Sequence, residues 1–330
     1  MALPHLASQG GLKRPLKIAS RDSVEKELLA TRDYGAEILT FDDPFYPSLL
    51  RHIDSAPPVL TVKGRLSCLQ MSLLAIVGAR NASAMGKKMA HHFADGLGQL
   101  GWVISSGLAR GIDAAAHRAS LPYGTIAVLA GGLDQIYPAE NEDLYMRIGE
   151  TGVLVAESPF GTQPQAALFP RRNRIISGIS RSILVVEAAL KSGSLITART
   201  ALEQGREVFA IPGHPLDPRA RGCNQLIKNG AVLVETLEDI EQEISPATPL
   251  RLEEAYPSFE EIPPSHSLDR ARYILNENLS IVPISVDELI RECQLSASDV
   301  WIVLLEMEIA GRLERLPGGK VSLREEWESI

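Results

Sequence analysis

The side chains in this sequence that could do chemistry gather at glycine-bearing turns that also carry a cation. The first is Gly78-Ala79-Arg80-Asn81-Ala82-Ser83. Glycine lets a ligand approach the backbone, a following helix offers N–H groups to an anion, and Arg80 adds a forked phosphate donor. The second, Ser106-Gly107-Leu108-Ala109-Arg110-Gly111, repeats the pattern. Gly131-Gly132-Leu133-Asp134 follows, then Phe169-Pro170-Arg171-Arg172-Asn173-Arg174, the densest basic cluster of the chain. Lys191-Ser192-Gly193-Ser194 enters a segment carrying Thr197 and Arg199, and Ile211-Pro212-Gly213 closes the series. Any one of these turns reads as ordinary loop chemistry. As a set they bring Arg or Lys repeatedly to one place, which suits a ligand with phosphates in series. Phe169 reads equally as a core side chain or as a platform for a base beside phosphate contacts.

Catalytic patterns are sparse. No nucleophile elbow is present, and Ser192 and Ser194 have no base placed by the sequence. His91 and His92 are adjacent, so a helix turns them apart. Asp113 and His117 have i,i+4 spacing and fit a helix-start cap with a local hydrogen bond better than an acid–base pair. Glu157 and Glu187 end apolar runs and suit the orientation of neighbouring arginines. Two nucleotide motifs fail on context. Gly96-Leu97-Gly98-Gln99-Leu100-Gly101 closes a helix and precedes a strand, the reverse of the dinucleotide fingerprint. Gly78 to Gly86-Lys87 is too long for a phosphate loop, and Lys88 stands where Ser or Thr would hold magnesium. No cofactor and no metal site are expected.

These turns need a scaffold. Leu73–Gly78, Trp102–Gly107, Thr125–Ala130, Gly152–Glu157, Ser182–Glu187, Glu207–Gly213 and Ala231–Thr236 are apolar runs without clean alternation. That is the signature of strands buried on both faces, as in a parallel sheet. Helical segments lie between them, so the fold class is α/β, a Rossmann-like, doubly wound, mostly parallel sheet whose ligands sit at the carboxyl ends of strands. The expected division is a partial N-terminal helical and connecting segment (1–69), the sheet domain (70–243), an acidic proline-rich linker (244–265) and a winged-helix domain (266–330).

The net charge of −8 argues against a polyanion partner until it is divided along the chain. Residues 1–69 carry +1, 70–235 carry +3 and 236–330 carry −12. On the expected third helix of the last domain, Asp299, Glu306 and Glu308 would repel phosphate, which favours a protein-binding or structural role there, although Arg312, Arg315 and Lys320 lie near the wing. Cys68, Cys223 and Cys293 are far apart and suit a reducing compartment. With no transmembrane-length apolar run and no apolar leader at the start, a cytoplasmic location is expected.

The turns resemble those of the DNA processing protein A family (DprA, also called Smf). The resemblance rests on GARNAS at 78–83, SGLARGIDAAAH at 106–117, GGLDQIYPAEN at 131–141, FPRRNRIISG at 169–178, VVEAALKSGSLITAR at 185–199, EVFAIPG at 207–213 and GCNQLIKNGAVLV at 222–234. VDELIREC at 286–293 and LEMEIAGRLERLPGGKVSL at 305–323 resemble the family's winged helix. The resemblance implies a non-enzymatic protein of natural transformation that binds single-stranded DNA and forms a homodimer. It implies protection of incoming strands and their transfer to the recombinase RecA, with displacement of single-strand-binding protein. It places DNA contacts on Arg80, Arg110, Phe169, Arg172, Asn173, Arg174 and the Ser192-Gly193-Ser194 turn. Gly78, Ser83, Gly107, Gly111, Arg171, Lys191, Arg199 and Gly213 complete the expected groove. Two departures stand out: Ala166 replaces a basic residue that some members carry, and residues 1–35 match only the trailing part of the family's N-terminal domain. A nucleoside-monophosphate enzyme or a nucleotide sensor on a related fold is the alternative, weakened because Leu133-Asp134-Gln135 follows Gly131-Gly132 in place of the signature such enzymes carry.

Overall fold

The computed structural model describes residues 19–244, 265–316 and 319–324. These fall into two compact units, one containing the sheet and one the C-terminal module. The expected linker and the turn at Pro317-Gly318 lie largely outside the described residues.

In the first unit, helix α1 (Arg21–Asp33) precedes β1 (Glu37–Thr40), a short helix α2 (Ser48–Arg51) and β2 (Val59–Gly64). Then β3 (Leu73–Val77), α3 (Ala84–Gln99), β4 (Val103–Ser106), α4 (Ile112–Ser120), β5 (Thr125–Gly132), α5 (Glu142–Thr151) and β6 (Val153–Ser158) alternate. The alternation continues through α6 (Leu168–Ile179), β7 (Ser182–Val185), α7 (Gly193–Glu203), β8 (Glu207–Ala210), α8 (Arg221–Lys228), β9 (Val232–Leu233) and α9 (Leu237–Glu243). All strands join one sheet in the order β1-β2-β6-β5-β4-β3-β7-β8-β9. From β6 to β9 the neighbours are parallel, and β2 adds to β6, and β1 to β2, antiparallel.

The unbroken apolar runs follow from this topology. Leu73, Ala75 and Val77 of β3 join one core with Ile175, Ile176 and Ala198 of the helices below. Leu74 and Ile76, pointing the other way, join a second core with Phe93, Leu97 and Ala116. Full burial of a side chain such as Phe93 contributes about 1.5–3 kcal/mol. The glycine run at 96–101 closes α3, with Gly101 at a positive φ of 86° before β4 begins.

The sheet does not stop at residue 70 as the sequence suggests. Residues 37–64 supply its antiparallel edge, and β1 is half-exposed, so it lacks the apolar signal of the buried strands.

The second unit contains α10 (Ser265–Asn278), β10 (Ile284–Ser285), α11 (Val286–Cys293), α12 (Ala297–Ile309), β11 (Leu313–Leu316) and β12 (Lys320–Leu323). The strands form a small antiparallel sheet ordered β10-β12-β11. Leu275, Leu289, Val303, Leu304, Met307 and Val321 fill its core, the helices-plus-wing arrangement expected from the sequence.

The charges of α12 differ from their sequence appearance. Glu306 is 2% exposed and accepts from Arg272 Nε and Nη2, both at 2.7 Å. Asp299 is buried, its backbone N–H donating to the capping Ser296 hydroxyl, and Glu308 accepts from Arg315 Nε at 2.9 Å. On the solvent face of α12, Trp301 and Leu305 are exposed beside Ser298 and the arginine-paired Glu308, with Arg315 over the Trp301 ring at 5.2 Å. The acidic face expected to repel phosphate is therefore absent, because helical rotation turns two of its carboxyl groups inward and arginine neutralises Glu306 and Glu308.

Candidate nucleic-acid interface

The strand order reverses at β3, which lies between β4 and β7 although β7 follows β6 in the chain. The loops leaving β3 and β7 therefore diverge and open a crevice at their carboxyl ends, the usual ligand position in open α/β sheets. A cleft is found there. Gly78 and Arg80 come from the β3 loop, Phe169 and Asn173 from α6, and Lys191 to Ser194 from the β7 loop.

Local packing fixes these loops. Gly111 has φ 80°, and a side chain there would collide with the carbonyl oxygens of Ala79 and Arg80. The loops after β3 and β4 consequently lie against each other, with Ile112 N–H donating to Ala79 O at 3.2 Å. Leu108 is fully buried and takes a left-handed backbone, φ 54°, which is strained for a non-glycine residue. Leu108 is thus tucked inward while Arg110 stands in solvent, 3.4 Å from an equally exposed Glu140.

Arg80 is exposed and its guanidinium lies 4.8 Å over the Phe169 ring. Tyr137 packs on the same phenylalanine, with centroids 5.8 Å apart. Phe169 is only partly buried, so a face of this aromatic pair borders the cleft. Lys191 is exposed at the rim. Beside it the Ser192 and Ser194 hydroxyls are 2.6 Å apart at the start of α7, and space around Gly193 is open to a ligand.

Several expected contacts are placed elsewhere. Arg172 is 6% exposed and donates from Nη1 to Gly107 O and Val128 O, each at 2.6 Å, and from Nε to Asn173 Oδ1 at 3.1 Å. It clamps the loop leaving β4 to the middle of β5. Burial lowers its pKa to about 10, against the attraction of Asp113; its donors are committed to backbone and Asn173, so it forms the wall of the cleft more than a free phosphate ligand. Arg174 donates to Ser55 O and pairs with Glu157, which also lies 3.6 Å from the exposed Arg171. Arg171, Arg174 and Arg199 do not line the cleft. Gly213 N–H and C=O are both taken by Asn224, at 3.1 and 2.8 Å, and Gly213 does not line the cleft. Gly107 N–H donates to Asp113.

Ser83 is the largest departure. It caps α3, accepting from Gly86 N–H at 2.9 Å, and its own N–H and hydroxyl both donate to Glu187. The carboxylate of Glu187 occupies the helix end that the sequence suggests for an anion. Glu187 is thereby a structural group, as is Asp113, which accepts from Gly107 and Ala109 N–H and whose pKa is raised by burial. His117 is fully buried. Its Nδ1 lies 2.7 Å from the Thr125 hydroxyl, which itself donates to Ile104 O, so Nδ1 carries the proton.

Sequence reasoning missed Arg219, which enters the cleft from the loop after β8 and is paired with Asp217 at 3.1 Å. Its only local sign is the basic stretch Arg219-Ala220-Arg221 before α8.

A mostly parallel sheet with a cationic, glycine-lined crevice at its reversal point defines a Rossmann-like protein. The comparisons sharpen that class. Residues 37–245 match the family model described as DNA recombination-mediator protein A, and residues 260–319 match the DprA winged helix domain. The chain belongs to the DprA/Smf family. It is 40% identical over 315 residues to protein Smf of Escherichia coli K12, covering 92% of this chain and 82% of that protein. It is 45% identical over 220 residues to DNA processing protein DprA of Bacillus subtilis, covering 66% of this chain and 74% of that one. The solved DNA processing protein A of Streptococcus pneumoniae superposes with TM-score 0.66 at 39% identity, covering 74% of this chain and 87% of that one. DNA processing protein A of Helicobacter pylori, solved to describe its single-stranded-DNA-binding mode, gives TM-score 0.59 at 27% identity, covering 63% of this chain and 94% of that one. Among the described residues no helix is long and apolar enough to cross a membrane.

Proposed function

We propose that this protein binds single-stranded DNA, with little sequence preference, in the cleft between the β3 and β7 loops. The observation that carries the reading is the placement of exposed Arg80 and Lys191 beside Phe169 and the open Ser192-Gly193-Ser194 turn. A single strand supplies both complements at once, phosphates for the cations and unstacked bases for the aromatic face. Arg110 and Arg219 extend the positive rim. Arg172 and Asn173 hold the wall, and Arg174 ties α6 to the loop at Ser55, so the basic cluster at 171–174 acts by positioning Phe169 more than by touching phosphate. The family's DNA-processing names and the single-strand-binding member from Helicobacter pylori support the reading.

The finer role is part of the same proposal. The protein acts in natural transformation, in the cytoplasm, as a homodimer without enzymatic activity. It shields incoming strands and loads RecA on them at the expense of single-strand-binding protein. Two clefts on one strand would raise avidity beyond that of either alone. A nucleotide-processing enzyme is less well supported, because Asp113, the carboxyl group lining the cleft, is committed to backbone N–H groups.

The test is a mobility shift comparing a single-stranded oligonucleotide with its duplex at rising salt. Binding favours the single strand, and log K falls with log salt by about 0.7 per phosphate contact. The double variant Arg80→Ala/Arg110→Ala loses affinity with its melting temperature intact. Unchanged affinity would overturn the cleft assignment.

A further inference from the structure

Past Arg80 the cleft continues into a second groove, to which Lys87 and Arg118 contribute from outside the family motifs. It runs over the first turn of α3 and the outer face of α4. Its cations are Arg80, Lys87, Arg110 and Arg118, and Glu140 is the one carboxylate among the described residues that line it. The groove exists because α4 presents small residues there. Gly111, Ala114, Ala115 and Arg118 fall at i, i+3, i+4 and i+7, one helix face, so a floor without long side chains ends in an arginine. From Gly111 to Arg118 this face spans about 10 Å, room for more than one phosphate.

Arg118 is held in place by a neutral partner. Arg118 Nη2 donates to Asn141 Oδ1 at 3.4 Å. Asn141 is buried and its Nδ2 donates to Leu108 O at 2.9 Å, so Arg118 is tied to the same loop that projects Arg110. The Arg110–Glu140 pair joins side chains 59% and 63% exposed, a contact that water screens and a phosphate can replace. Lys87 is exposed one turn into α3. Among the described residues no aromatic side chain lines this groove, unlike the cleft, so they offer grips for phosphate and none for a base.

We propose that this groove is a second phosphate track, which holds the backbone of the same DNA strand after it leaves the cleft. The inference rests on the reading above that the cleft binds single-stranded DNA. The cleft then fixes a short stretch by stacking and charge, and the track adds length-dependent, purely electrostatic affinity with the bases turned to solvent.

The experiment measures fluorescence anisotropy of labelled oligothymidylates, from about 6 nucleotides, the scale of a single binding module, upwards. The full-length protein is compared with its Lys87→Gln/Arg118→Gln variant, and melting temperatures confirm that both are folded. The variant is expected to match the parent on the shortest strand and to bind long strands about tenfold more weakly. Its salt slope on long strands should be shallower by about 1.4, two contacts at 0.7 each. Equal affinities at every length overturn the track, and so does an equal loss at every length, which would put both residues in the cleft itself. Failure of the cleft reading is separately visible: the parent would then fail to bind the short strand at all.

Discussion

In the cleft, Arg80 and Lys191 reach solvent with no ion pair among the described residues, whereas in the C-terminal unit Arg272 and Arg315 are each bound to a glutamate of α12. Both regions belong to fold types that often carry nucleic-acid contacts. One leaves two of its cations available, and the other uses both of these arginines to neutralise its own acids. Net charge does not distinguish these situations. The −12 of residues 236–330 looks like a repelling field, yet Glu306 is buried against arginine and the outer face of α12 exposes Trp301 and Leu305 beside a Glu308 that Arg315 pairs. The lesson is that the number of formal charges matters less than how many lack an internal partner.

Breaking the internal pair should have the largest effect. Arg272→Met leaves Glu306 buried and unpaired and is expected to destabilise the C-terminal unit by about 3–5 kcal/mol, read by urea denaturation. The double variant Arg272→Met/Glu306→Leu should recover most of this, because paired removal leaves no orphaned charge. Cleft affinity for short DNA should not change in either. Removing the available cations should do the reverse. Arg80→Ala/Arg110→Ala is expected to weaken binding by about 10- to 100-fold, roughly 1.4–2.8 kcal/mol, with little change in stability. If instead it melts early, the two regions are less different than the structure makes them.

A third prediction concerns charge kept out of the sheet unit's interior. Burial, with Arg172 and Arg118 adding to it, lowers the His117 pKa from 6.5 to about 3. The unfolded chain therefore takes up a proton at this position between those values and the folded one does not. Stability is fully present above about pH 6.5 and declines as pH falls, by up to about 1.4 kcal/mol per pH unit. His117→Gln should flatten that decline in denaturation curves at pH 7 and 5.5. Asp113, whose raised pKa acts with the opposite sign, is common to both proteins and drops out of the difference. The smallest effect belongs to the surface: Arg315→Ala breaks a half-exposed pair with Glu308 and should cost under about 1 kcal/mol.

The sheet was largely legible because strands buried on both faces leave continuous apolar runs. β1 and β2 were not: β1 is an edge strand that exposes most of its length, and β2 buries only Leu60, Thr61 and Val62, a run too short to stand out. The basic cluster shows where site reading stops. Arg171, Arg172 and Arg174 are equivalent by composition, but Arg172, Ile175, Ile176 and Ile179 share the inward stripe of α6 at i, i+3, i+4 and i+7. Applied to the arginine as well as to the isoleucines, that periodicity would have set Arg172 apart. Nothing local announces that Glu187 lands on Ser83, since the residues meet only when β7 is laid beside β3.

That carboxylate has a kinetic consequence. A helix end satisfied from within needs no borrowed anion to hold its shape. On the proposed function, the loop at 78–83 is set before DNA arrives, and it sits beside Gly111 in a packing that tolerates no side chain. Encounter then carries little ordering cost. Capture of a strand by such an edge is limited by diffusion and long-range attraction, so its association rate should respond to ionic strength and hardly at all to a slow conformational step.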